Sequence, residues 1–138
     1  MILPPAALQV RLQALLDWWA AGTSPVRVDC YDGAPPATPG AGVAITPALS
    51  FELPLPLPTV TADGSVSLLP IEAALVVRTT ELRWCRIVRG DGTWGGDDLV
   101  TPDTGDGLWR ITGDAGPSGG VLVRAGGVIV PSAAMLVG

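Results

Sequence analysis

Leu8, Leu12, Leu15, Leu16 and Trp19 recur at three- and four-residue spacing, which predicts an amphipathic helix over about 5–21 with Gln9, Gln13 and Asp17 facing away. Pro4 and Pro5 suit its first turn, Gly22 suits a left-handed cap, and Thr23, Ser24 and Pro25 stop it. The period then changes to two. Val26, Val28 and Cys30 alternate with Arg27, Asp29 and Tyr31, the pattern of a half-buried strand. Prolines and glycines make 32–42 a loop. Residues 45–58 are apolar, but Pro47, Pro54, Pro56 and Pro58 remove ladder donors, so this stretch reads as an edge strand or an extended arm laid across a neighbouring subunit.

Further on, Val60 to Leu69 reads as a hairpin around Ala62, Asp63, Gly64 and Ser65. Ile71 to Val77 has mixed propensity and is assigned to strand. Glu81 to Val88 is a strand with Leu82, Trp84, Arg86 and Val88 on one face, followed by a turn at Asp91 and Gly92. Asp97 to Gly107 and Asp114 to Gly120 read as loops on either side of a short strand, Leu108 to Thr112. Val121–Val123 and Val128–Val130 flank a glycine turn and form a final hairpin. The whole is one mainly β domain over 1–138, a β-sandwich or jelly roll with one N-terminal amphipathic helix.

Composition narrows the function. Among 138 residues there is no histidine, so histidine-based catalysis and the commonest metal ligand are both missing. Hydrophobic residues make up 48% and mean hydropathy is +0.44, yet no apolar run approaches the ~20 residues of a membrane helix. The opening Met-Ile-Leu-Pro-Pro lacks the basic region of a secretory signal, and none is expected. Surplus apolar surface in such a chain calls for burial between subunits. A net charge of −5, with no basic stripe, argues against nucleic-acid binding; Arg78, Arg83, Arg86 and Arg89 read as decoration of a strand. Cys30 and Cys85 read as reduced, buried thiols, although neighbouring strands would be able to bring them together.

Motifs with chemical meaning fail on context. Residues Gly116 to Gly120 spell G-x-S-x-G, but a strand follows where a nucleophile elbow needs a helix, and no histidine base exists. Gly40 and Gly42 open like a dinucleotide loop, with Ile45 where the third glycine belongs. Asp91, Asp97, Asp98, Asp103, Asp106 and Asp114 gather within one glycine-rich region, without EF-hand spacing, and read as solvated turns. Neither enzymatic activity nor a cofactor or metal is expected. Of the five tryptophans, Trp84 and Trp109 belong in a core and Trp19 on the helix stripe. Trp18, pointing sideways from the helix, and Trp94, in a loop, are candidate subunit contacts, together with Leu53, Pro54, Leu55, Pro56 and Leu57 of the arm.

Three segments, following a helix that ends at about Gly22, carry a resemblance, the first two above all. They are Val26 to Ala37, containing Y-D-G-x-x-P-A; Leu82 to Thr93, containing W-x-R-I-x-x-x-D-G-T; and the G-G-V-x-V of Gly126 to Val130. Their order is similar to that of small β-rich virion proteins of tailed bacteriophages, over most of 10–130. Cys85, and the prolines at 53–58, depart from that pattern. The resemblance implies a non-enzymatic virion protein on the capsid surface, assembled in the host cytoplasm. In such a role it is a decoration or cement protein contacting the major capsid protein and copies of itself as a homotrimer, with no nucleic-acid or membrane partner. Alternatives are a tail, baseplate or fibre component, or a receptor- or carbohydrate-binding module using Trp94 and the Asp-rich loops.

Overall fold

A computed structural model describes residues 1–22, 24–70 and 72–137, so the expectations placed on Thr23 and Ile71 lie outside the described residues. The elements are α1 (Pro5–Ala20), β1 (Val26–Tyr31), β2 (Leu49–Leu53), β3 (Ser65–Ser67), β4 (Ala74–Leu75), β5 (Thr80–Leu82), β6 (Trp84–Val88), β7 (Trp94–Pro102), β8 (Trp109–Ile111), β9 (Val121–Val123), β10 (Val128–Ile129) and β11 (Ala133–Val137). Seven of the strands form one curled sheet in the order β2-β1-β6-β7-β8-β11-β3, and two short sheets, β10-β4 and β5-β9, approach it at β2 and β7. The fold is mainly β and sandwich-like, with one N-terminal helix. Every described pairing is antiparallel except β7 with β8.

The helix forms where the periodicity places it. Pro5 occupies the first turn, and Leu12, Leu16 and Trp19 are buried. Two details differ from the sequence reading. Gln9 and Gln13 do not face away, since Gln9 Nε2 donates to the Val60 carbonyl and the Val60 N–H donates to Gln13 Oε1, fastening the 58–60 segment to the helix. Gly22 is not a left-handed cap, since the helix ends on Ala21 in right-handed geometry. Its missing Cβ instead lets the chain pass the main chain of Gly90, where an added carbon would lie 3.1 Å from the Gly90 nitrogen.

The inner face of the large sheet supplies the core. Val26, Val28 and Cys30 of β1, Phe51 of β2, Ile87 of β6, and Trp109 of β8 meet Leu16 and Trp19 from α1. Helix and sheet are joined at Gly95, whose carbonyl accepts from Trp19 Nε1 at 3.0 Å. Any side chain there would press on that indole nitrogen. Gly95 is also the extra residue of a bulge, because Ile87 faces Gly96 while Val88 faces Trp94.

β1 is not half-buried, since Asp29 and Tyr31 are as sequestered as the core side chains. The 32–42 loop explains this. It crosses the outer face, where the Ala41 carbonyl accepts from Arg86 Nη1 at 2.7 Å and Gly40 lies on the Trp94 ring. Beneath it Tyr31 stacks on Trp84 with ring centroids 4.6 Å apart. Trp84 is buried on the outer face, outside the main core cluster, whereas Trp109 is a core residue stacked on Phe51.

Several expected strands are rearranged. Glu81 to Val88 is interrupted at Arg83, whose N–H donates to the Tyr31 carbonyl. Leu82 consequently enters the core from the small β5–β9 sheet, while Trp84, Arg86 and Val88 lie on the outer face of the large one. Asp97 to Pro102, read as loop, belongs to β7, the longest strand, because cross-strand Arg86 neutralises Asp97. The expected 60–69 hairpin keeps its turn at Asp63 and Gly64, but β3 pairs with β11. β9 and β10 do not pair with each other; they bind β5 and β4.

Candidate contact surface

The two-residue pairing of β4 with β10 sets Val128 opposite Leu75 and Ile129 opposite Ala74. Alternation sends Ala74 and Val76 into the core and turns Leu75 and Val77 outward. Val128 and Val130 point the same way from the partner segment. Their exposures are 59% for Leu75, 60% for Val77, 65% for Val128 and 55% for Val130, and Ala73 is exposed beside them. One face of a small sheet is thus an aliphatic patch. Sequence reasoning noticed the surplus apolar surface without locating it. The available signal was that 73–77 and 128–130 are apolar at consecutive positions, hence on both faces of any strand.

The candidates drawn from the sequence have separate fates. Trp18 is 43% exposed on the flank of α1, with the Arg89 guanidinium 4.6 Å from its ring centre. Trp94 opens β7 rather than lying in a loop; it is 41% exposed, and its indole N–H donates to Asp97 Oδ1. Both adjoin the tight β6–β7 turn, where the Arg89 N–H donates to the Thr93 carbonyl and Gly92 adopts φ +87°. The proline-rich segment is not a free arm. Leu53 is 3% exposed in the core, and Leu55 and Leu57 are half-buried against it. Leu55, Pro56 and Leu57 line a shallow groove with Gln13, Asp17 and Ala20 of the helix, while Pro54 and Pro56 face solvent.

Polar side chains are largely occupied in holding the frame. Arg86 forks onto Asp97 through Nε at 2.7 Å and Nη2 at 2.9 Å. Arg78 does the same to Asp32, whose carboxyl also accepts from Thr80 Oγ1 and is pulled down to about 2. Arg89 lies 3.5 Å from Asp91, so three of the four clustered arginines face aspartates. Hydrogen bonds from Ser132 and Thr112 hold Asp103 below the usual carboxylate range, and a backbone N–H from Thr93 does so for Asp91. Among the described residues, no three His, Cys, Asp or Glu side chains are grouped to hold a metal ion. Ser118, the centre of G-x-S-x-G, lies in a turn whose Ser118 and Gly120 N–H groups both donate to Glu81 Oε2 at 2.9 Å. No described helix is long and apolar enough to cross a membrane.

No family model, curated protein or solved structure matches this chain.

Proposed function

We propose that the chain is a non-enzymatic structural subunit that works by docking onto protein, with decoration of a bacteriophage capsid as the specific role. The observation that carries the docking part is the exposed aliphatic face of Leu75, Val77, Val128 and Val130. Solvent-facing aliphatics gathered on one sheet face favour burial by a protein partner, at about 25 cal/mol per Å² before association costs. The capsid part rests on the resemblance of its three segments to phage virion proteins. Two of those segments meet in this fold, through the stacking of Tyr31 on Trp84.

Quantitative mass spectrometry of purified particles tests this reading. A copy number near that of the major capsid protein supports a lattice-wide decoration role. A handful of copies moves the protein to the tail, baseplate or fibre, and none removes the virion role. Val128→Glu places a charge on the face without touching the core, so it is expected to change stability by less than about 0.5 kcal/mol. The same substitution should remove the protein from particles; retained binding would show that another surface docks.

A further inference from the structure

We infer that Cys30 and Cys85 form a built-in site for a cross-strand disulfide. The two residues are register partners in the β1–β6 ladder, and both are fully buried on the core face of the sheet. Both thiols are free in this structure. The kind of pairing decides whether a bridge fits, and three hydrogen bonds identify it. The Cys30 carbonyl accepts from the Ala48 N–H at 2.8 Å, so the main-chain groups of Cys30 point toward β2 and away from β6. Flanking β6, the Arg83 carbonyl accepts from the Val100 N–H at 3.1 Å and the Arg89 N–H donates to the Thr93 carbonyl at 2.9 Å. Carbonyls two residues apart share a direction, so Cys85, opposite Asp98 as Arg83 is opposite Val100, turns its main-chain groups toward β7 and away from β1. Cys30 and Cys85 are therefore a non-hydrogen-bonded pair, the closer of the two antiparallel types, with Cα atoms about 4.5 Å apart. That separation falls inside the range a disulfide spans.

Burial pushes both thiols well above their ordinary range, so thiolate is scarce in the folded protein and the bridge forms while the chain is folding or transiently open. The oxidant is a small-molecule disulfide such as oxidised glutathione. The thiolate of one cysteine attacks it, forming a mixed disulfide and releasing one glutathione thiolate. The second cysteine, deprotonated, attacks the protein sulfur of that mixed disulfide and releases the other glutathione. Two protein thiols are oxidised, one glutathione disulfide is reduced to two thiols, and nothing else is consumed. The closed loop spans more than fifty residues, so the bridge restrains the unfolded chain strongly and should raise Tm by about 10 °C.

The test is refolding of the full chain from urea in mixed reduced and oxidised glutathione, followed by alkylation, tryptic digestion and mass spectrometry. Cleavage after arginine isolates fragment 84–86, and the expected product is that fragment joined to fragment 28–78, two hydrogens lighter than the sum. The yield of this link should exceed that in urea at the same glutathione ratio by at least about tenfold, because the native register holds the sulfurs together. The bridged protein should melt higher than the reduced one, and Cys85→Ala should lose both the link and the difference. Predominance of glutathione adducts or disulfide-linked dimers, equal yields in urea, or a bridged form melting at or below the reduced form would each overturn the assignment.

Discussion

Removing one charge under the 32–42 loop gives a sharp measure of what holds the outer face. Arg86 has a side chain only 10% exposed, and Asp97 one that is 20% exposed. The guanidinium makes two bonds to Asp97, one to the Ala41 carbonyl, and lies 5.4 Å from the Trp84 ring centre. Asp97→Asn preserves the shape and one acceptor but leaves the cation without its counter-charge. At an effective dielectric of ~20, two charges ~4 Å apart attract by about 4 kcal/mol, and desolvation of the ions offsets a good part of this. Stranding the cation restores that penalty, so the expected loss is about 2.5 kcal/mol. Unfolding entropy near 2.1 cal/mol/K per residue over 138 residues converts it to a fall in Tm of about 9 °C. Urea unfolding followed by tryptophan fluorescence reads the change directly. The double variant Arg86→Met, Asp97→Leu should regain about half, because apolar residues replace a buried pair at little cost, while the Ala41 carbonyl stays unpaired. A loss under about 0.5 kcal/mol for Asp97→Asn, or strictly additive single effects, would refute the reasoning.

Three other expectations follow from the same geometry. Leu16→Ala empties a site 1% exposed beneath the helix and should cost about 3 kcal/mol in urea unfolding, with a smaller loss meaning that the helix is peripheral to the core. The Asp32 carboxyl is lowered from 3.8 to about 2, first by its hydrogen bond from Arg78, so its contribution is fully present above about pH 4 and fades as pH falls through about 2. Because the pair is partly solvated its size is about 1 kcal/mol, and Arg78→Gln should remove that pH-dependent part; an unchanged acid profile would disprove the link. Trp18→Ala removes an exposed ring beside Arg89, costing the monomer about 0.5–1 kcal/mol, whereas a loss of particle binding worth 2 kcal/mol or more would make it a docking anchor.

Local rules carried the helix, β1 and the Asp91–Gly92 turn, because periodicity and turn chemistry are properties of neighbouring residues. The rest was settled by partners far along the chain. β7 looked like loop because Asp97 and Asp98 disfavour strands in isolation, and it is Arg86 across the ladder, with the Trp94 indole, that makes Asp97 acceptable there. The valine segments of β9 and β10 looked like a hairpin because they flank glycines, yet each found a more distant partner. Ala133–Val137 carried no turn or alternation signal and was not anticipated as a strand. The second burial layer on β1 came from a loop, and no periodicity encodes loop placement. Of the candidate contacts, the exposed state of Trp18 and Trp94 was legible from their neighbours. Residues 49–53 form the edge strand that the prolines disclose, whereas the extended-arm alternative fails because prolines do not disclose what the intervening leucines touch.

β11 sits between β8 and β3, and among the described strands β3 joins the large sheet through β11 alone. The helix in turn rests partly on β3. During synthesis, then, residues near the start of the chain wait for residues near 137 before their surroundings are complete. No shorter nascent length contains the finished sheet, so folding of this domain is expected to follow emergence of β11 rather than proceed element by element. Until that moment the aliphatic positions of β4 stand outside the ribosome beside an unsealed core. A chaperone that shields them would act in this interval, before any assembly partner can.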